Sequence, residues 1–146
     1  MTAAMGRLLA GKVAPSVYHM DMTLRPGTIC QQVESAGWQC AYLDGSILFD
    51  KTSLLRRCAT SLDFPDYFGF NWDALDECMT EPGLIHADGL VLLYDHAAVL
   101  YANSPRDWAV FFDIVSSAIQ YWHRNEKSVY LILRNCGAIP QKAASL

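Results

Sequence analysis

The 48 residues from Cys58 to Pro105 contain no lysine and no arginine, although they carry eight carboxylates. The rest of the chain holds all eleven basic residues and only seven acidic ones. The formal net charge of −4 therefore conceals one strongly anionic stretch between two cationic regions. Because no neighbouring residue in the sequence neutralises these carboxylates, the stretch is typical of a surface that binds a cationic partner.

The sequence also lacks an apolar run of the roughly 18 residues that a membrane helix needs, so we expect no membrane association. Leu8 to Ala10 follow Arg7, but Lys12 interrupts them, which disfavours a secretory leader. The five cysteines are odd in number and form no CxxC pair. They favour reduced thiols in a cytoplasmic protein over a disulfide framework.

Motifs for metal, cofactor and nucleic-acid binding are missing as well. The four histidines are far apart in the sequence, without HxxxH spacing. The nearest approach to a ligand set combines His86 or His96 with Asp88 and Asp95. No glycine-rich phosphate loop is present, and a face without basic groups is unsuited to phosphate contacts. We therefore expect no metal, no cofactor and no nucleic-acid partner.

Hydrophobic residues make up 52% of the 146 residues, enough to fill the core of a single domain. Residues 1–14 show no apolar periodicity and are expected to be loosely ordered, which leaves 15–146 as that domain. Short strands are predicted at 17–20 and 38–43. The unbroken apolar runs at 89–94 and 129–133 predict strands buried on both faces, as in a parallel sheet covered by helices. Their alternation with helical patterns predicts an α/β sandwich.

One short helix concentrates the anionic charge. Asn71 is a suitable N-cap, and Pro82-Gly83 ends the helix. Helical periodicity puts an apolar set on one arc: Trp72, Leu75, Cys78 and Met79. A polar set at i, i+3, i+4 and i+7 falls on the opposite arc: Asp73, Asp76, Glu77 and Thr80. Like charges at these spacings cost roughly 0.2–0.5 kcal/mol per pair. A merely solvated face would ordinarily intersperse lysines, and none is present, but such a face is the plainer alternative to a binding surface.

The residues around this helix favour binding over catalysis. Tyr67 and Phe68 precede the cap, and aromatic residues beside a dense acidic stripe are typical of an interface. Asp73 and Glu77 are a possible acid–base pair, but no complementary base or nucleophile accompanies them. Cys78 lies among anions that raise a thiol pKa, which indicates a small packed side chain rather than a nucleophile.

The segment Phe64–Cys78, FPDYFGFNWDALDEC, resembles the signature segment of the barstar family of intracellular ribonuclease inhibitors. A looser similarity extends from Tyr42-Leu-Asp-Gly45 through 89–95 to the final strand, and so spans about residues 38–134. The resemblance implies a three-stranded parallel sheet flanked by helices, here with an amino-terminal strand and helix added. It also implies a protein that is not an enzyme and whose acidic helix blocks a basic ribonuclease active site.

Carried over by position, Asp73 and Glu77 are the principal anions of that surface. The residues expected around them are Tyr67, Phe68, Asn71, Trp72, Asp76 and Thr80, with Trp72 either a contact anchor or a core residue. Glu77 stands where the founding inhibitor has aspartate and Asp76 where it has tryptophan, so we expect a different nuclease target.

The resulting prediction is a cytoplasmic immunity protein of a toxin–antitoxin pair. It would be monomeric when free and would bind a basic ribonuclease or nuclease toxin. The alternative is a module of the same fold that binds another basic protein without inhibiting a nuclease. Ribonuclease activity measured after mixing with the partner separates these two. Turnover that vanishes in Asp73→Asn would instead indicate a hydrolase.

Overall fold

The computed structural model describes residues 2–21, 23–141 and 143–146 and contains one parallel sheet. Its strands are β1 (Val17–His19), β2 (Gln39–Asp44), β3 (Gly89–Asp95), β4 (Ser128–Arg134) and β5 (Ala144–Ser145). They are arranged in the order β2-β3-β4-β1-β5, and every neighbouring pair is parallel. The helices are α1 (Ala3–Leu9), α2 (Pro26–Ser35), α3 (Lys51–Ser61), α4 (Trp72–Met79), α5 (Ala97–Asn103) and α6 (Pro105–Arg124).

The sheet is buried on both faces because helices cover each of them. Along β3, Leu90, Leu92 and Tyr94 pack with α3, α4, α5 and α6, whereas Val91 and Leu93 pack with α1 and α2. Every residue of β3 is buried, which explains why this strand is an unbroken apolar run rather than an alternating one. The α/β class expected from the sequence is therefore correct.

The expected number of strands is wrong, since the sheet has five strands and not three. The resemblance that implied three strands covers only the part of the chain that contains β2, β3 and β4. The additional strand β1 pairs with β4, with His19 opposite Leu133, and β5 pairs with β1 in turn. The amino-terminal segment is thus part of the sheet and not an appendage to it.

The amino-terminal helix also differs from the expectation of a loosely ordered segment at residues 1–14. Thr2 caps α1 by accepting a hydrogen bond from the Met5 amide at 3.2 Å. Met5 and Leu8 are 1% and 0% exposed, packed on the face that α2 covers. Two buried side chains on a seven-residue helix are too few to give a recognisable period, so the sequence pattern does not reveal this helix.

A disulfide joins α2 to β2, because Cys30 and Cys40 are bonded. The expectation that all five cysteines are reduced thiols is therefore wrong for this pair, and the remaining cysteines are free: Cys58, Cys78 and Cys136. The two partners are ten residues apart and are brought together only when α2 packs on the sheet. Among the described residues, no helix is long and apolar enough to cross a membrane.

Candidate partner-binding site

Helix α4 begins at a well-formed cap. The Asn71 side-chain oxygen accepts a hydrogen bond from the Ala74 amide at 2.8 Å, which satisfies one of the free N–H groups of the first turn. Asp73 lies in that first turn, where the helix dipole favours a negative charge. The start of the helix is thus fixed by the residue that the sequence analysis identified as its cap.

The inner side of α4 holds the helix firmly on the domain. Leu75, Cys78 and Met79 are 0%, 5% and 1% exposed. At the carboxyl end of the helix, the buried Trp122 indole of α6 donates a hydrogen bond to the Met79 carbonyl oxygen at 2.7 Å. Because one turn is capped and the other is tied to α6, the outer face of α4 has a defined orientation.

The outer face of α4 carries the acidic stripe, defined as Asp73, Asp76 and Glu77. All three side chains are exposed. Among the described residues, no basic side-chain nitrogen lies within 4 Å of these three carboxylates. The ion pair that the described residues form joins Asp95 to Arg134 and includes none of the three. The stripe therefore presents three unpaired negative charges on a rigid helix, available to an external cation.

Trp72 is half-buried, at the edge of the core rather than inside it. Its ring packs against the core beneath α3 and α4. The Lys51 ammonium lies 5.6 Å from the ring centroid, within the range of a cation–π contact. Lys51 is the first residue of α3, and Trp72 is the first residue of α4, so this contact links the starts of the two helices.

Tyr67 and Phe68, in the loop before α4, were both expected in the contact surface, but they differ in exposure. Tyr67 is 76% exposed and remains available for contact. Phe68 is only 5% exposed, and its ring lies 4.9 Å from Phe64 and 4.8 Å from Phe70. Phe68 is therefore a core residue, and its expected place in the contact surface is wrong. Phe70, 52% exposed, is the aromatic ring that reaches solvent instead.

The remaining residues of α4 have structural contacts. The Thr80 hydroxyl, half-buried, donates to the Asp76 and Glu77 carbonyl oxygens at 3.4 Å each, so it mainly closes the end of the helix. Burial raises the pKa of the Cys78 thiol, and the nearby Glu81 and Glu77 carboxylates raise it further. A thiol held protonated in this way is a poor nucleophile, as expected from the sequence.

Among the described residues, no three side chains of His, Cys, Asp or Glu lie close enough together to hold a metal ion. Asp95, which the sequence placed nearest to a ligand set, is instead bonded to Arg134 at 2.7 and 2.8 Å.

A family model described as "Barstar (barnase inhibitor)" matches residues 38–134, about two thirds of the chain. The chain belongs to the barstar family. The matched range contains β2, β3 and β4 together with α3 to α6, and hence the whole acidic stripe. A search of the curated proteins finds no match.

The fold extends beyond the family range. A solved structure described as the ORC2 protein of Aeropyrum pernix in ADPNP–ADP complexes superposes with a TM-score of 0.59 at 12% identity. The likeness covers 97% of this chain, which spans only 38% of the length of that one. At this identity the likeness concerns the fold alone, and it includes most of the chain that lies outside the barstar range.

Three residues near the site were not predicted from the sequence as contributors to the surface: Lys51, Phe49 and Phe70. Lys51 contacts Trp72 across 21 positions of sequence, and no local pattern predicts that contact. Phe70 precedes the cap of α4, as Phe49 precedes the cap of α3, and each is 52% exposed. A large apolar residue immediately before a helix cap is the signal that could have found both phenylalanines.

Proposed function

We propose that this barstar-family chain inhibits a basic ribonuclease by inserting the acidic stripe of α4 into its active-site cleft. The single observation that carries the proposal is the set of three exposed, unpaired carboxylates on a capped and anchored helix. In this proposal the chain is an immunity protein that protects the cytoplasm of its host from a ribonuclease toxin. It acts by blocking access and performs no turnover.

The proposed mechanism is electrostatic mimicry of RNA. Asp73 and Glu77 are one helical turn apart and on one face, with Asp76 beside them. Active-site cations that bind phosphates are suited to bind carboxylates at this spacing. The anionic stretch attracts the positively charged cleft before contact, which raises the association rate above that of uncharged surfaces.

The neighbouring residues shape the contact. Tyr67 is exposed and offers a flat amphipathic surface at the edge of the stripe. Asn71 and Trp72 support the first turn of α4, so they hold Asp73 in place more than they contribute charge. Pre-organisation of this kind reduces the entropy lost when the partner binds.

The target is proposed to differ from barnase. The Glu77 side chain is one methylene longer than the aspartate of the founding inhibitor, so its charge extends farther from the helix. The segment 115–121 of α6 contains no carboxylate, although the founding inhibitor uses a glutamate on that helix. A cleft with a different arrangement of cations is therefore the better match for this surface.

The test is a titration of ribonuclease activity. Purified chain is added to a panel that contains barnase and other basic secreted bacterial ribonucleases, and RNA cleavage is followed. We expect activity of at least one enzyme to fall to zero at one molar equivalent. A complex that forms while cleavage continues would favour the alternative, a module that binds basic proteins without inhibition. No binding to any member would contradict the proposed function.

A further inference from the structure

Two phenylalanines occupy equivalent positions at the starts of neighbouring helices. Phe49 directly precedes Asp50, the cap of α3, and Phe70 directly precedes Asn71, the cap of α4. Each side chain is 52% exposed. We call Phe49 and Phe70 the aromatic pair.

The Lys51–Trp72 contact links the starts of the two helices. Lys51 and Trp72 are the first residues of α3 and α4, and each follows one of the phenylalanines by two positions. The lysine ammonium lies 5.6 Å from the tryptophan ring centroid. The aromatic pair therefore precedes two helices that are linked at their first residues, one of which carries the acidic stripe.

Exposure of these rings is costly. Burying a phenylalanine side chain stabilises a protein relative to leaving it in water. Among the described residues, the large exposed aromatic side chains are those of Phe49, Tyr67 and Phe70, which lie in the segments that precede α3 and α4. Apolar residues grouped in this way mark an interaction site rather than scattered surface residues.

The backbone at Phe70 gives an independent indication. Its φ of 51° lies in the left-handed region, which is unfavourable for a bulky side chain. The conformation turns a ring toward solvent while Phe68, two residues earlier, points into the core. The Phe70 ring packs edge-on against Phe68 at 4.8 Å, yet it remains 52% exposed. A left-handed conformation that keeps a bulky apolar ring half in water indicates a functional constraint.

We propose that the aromatic pair occupies an apolar recess beside the cationic cleft of the protein that α4 binds. The inference rests on the proposed function and adds a second feature to the partner. Its surface must combine a cationic cleft with an adjacent apolar recess. Charge gives attraction that many basic proteins share, whereas two rings in a fitted recess select among them.

Charge also argues against other occupants of the aromatic pair. A second copy of the chain placed face to face would bring two acidic stripes together, and like charges repel. An anionic membrane surface would be repelled for the same reason. Asp50 and Lys51 carry opposite charges at the start of α3, so this end of the surface is less anionic than the stripe.

The experiment uses the complete chain with variants Phe49→Ala, Phe70→Ala and the double substitution. Dissociation constants are measured against barnase and the other basic ribonucleases of the inhibition panel. Ile47→Ala is the matched control, because Ile47 is 58% exposed but lines a groove with Arg56, Arg57 and Thr60 on α3. Thermal unfolding checks that each variant is folded. If Phe70→Ala does not fold, Phe70→Leu replaces it, because leucine keeps an apolar side chain at this position.

We expect each alanine substitution to weaken binding by at least about tenfold, with the salt dependence of binding unchanged. Asp73→Asn with Glu77→Gln should weaken binding and also flatten that salt dependence, so the two contributions are distinguishable. Phe70→Leu should retain more affinity than Phe70→Ala.

Three results would overturn the inference. The first is loss of binding in the charge variant with full affinity in both phenylalanine variants, which leaves the proposed function intact. The second is equal loss in Ile47→Ala. The third is a dimer of the free chain, detected by sedimentation, that the phenylalanine substitutions dissociate. If no ribonuclease binds the wild-type chain, the proposed function and this inference both fail.

Discussion

Arg134 and Asp95 form a bidentate ion pair at the carboxyl ends of β4 and β3, with N–O distances of 2.7 and 2.8 Å. Both side chains are about 5% exposed or less. Asp95 is the one carboxylate of the lysine- and arginine-free stretch that is buried; the other seven are exposed. The protein thus neutralises the anion that it buries and leaves the acidic stripe without a cation of its own among the described residues.

Breaking this pair should destabilise the fold. Arg134→Met leaves the Asp95 carboxylate buried without its cation, and such a change costs about 3–5 kcal/mol. Arg124→Met, at an exposed position near the end of α6, is the control and should change the free energy of unfolding little. Urea unfolding at neutral pH measures both variants. A cost below about 1 kcal/mol for Arg134→Met would contradict the assigned role of the pair.

Removing one charge of the stripe should stabilise the free protein. Glu77→Gln removes a like-charge pair with Asp73 one turn away, worth roughly 0.2–0.5 kcal/mol, and relieves a negative charge near the carboxyl end of α4. Asp113→Asn on α6 is the control, since residues three and four positions from Asp113 are uncharged. Chemical unfolding should show a small gain for Glu77→Gln alone. A loss of stability would mean that Glu77 has a partner within the chain.

The cap of α4 should matter for stability and for binding. Asn71→Ala removes the acceptor for the Ala74 amide and should cost about 0.5–2 kcal/mol of unfolding free energy. Asn71→Ser retains a capping oxygen and should restore most of that loss. The same order is expected for affinity toward an inhibited ribonuclease, because the cap orients Asp73. Equal stability of the alanine and serine variants would show that the cap contributes nothing.

The Cys30–Cys40 disulfide should stabilise the domain against unfolding. It closes a loop of ten residues, for which chain entropy predicts about 2–3 kcal/mol. Dithiothreitol should lower the unfolding free energy of the wild-type chain by that amount and leave Cys30→Ser unchanged. Identical unfolding curves with and without the reductant would contradict the pairing.

The exposure of cysteines to alkylation offers a separate check on the acidic helix. Burial raises the pKa of the Cys58 thiol to about 12, and the Cys78 pKa is raised by burial and by two glutamates. Iodoacetamide at neutral pH should therefore label the half-buried Cys136 first in the native chain, as detected by peptide mass spectrometry. Rapid labelling of Cys78 would indicate that α4 detaches readily from the core.

Local patterns in the sequence predicted α4 well. A cap, a terminating Pro-Gly and two opposed arcs are all encoded within the thirteen residues from Asn71 to Gly83, and the solvent-exposed carboxylates follow from the period alone. The buried strands β3 and β4 were equally clear, because complete burial requires an unbroken apolar run. Both features depend on short-range rules that the tertiary structure does not override.

Features that depend on distant residues could not be predicted. Strand β1 joins the sheet beside β4, more than a hundred residues away, and β5 adds only two residues to that edge. Phe68 and Phe70 are close in sequence and both aromatic, but the left-handed backbone at Phe70 decides which ring is exposed. The Cys30–Cys40 bond likewise depends on how α2 packs on β2.

The acidic stripe is tested most directly by the dissociation constant of a basic ribonuclease for the chain, compared among Asp73→Asn, Glu77→Gln and the control Asp113→Asn. We predict that each stripe variant binds at least about 30-fold more weakly than the wild type, while Asp113→Asn binds as tightly. Unchanged affinity in both stripe variants, with the protein folded, would contradict the account.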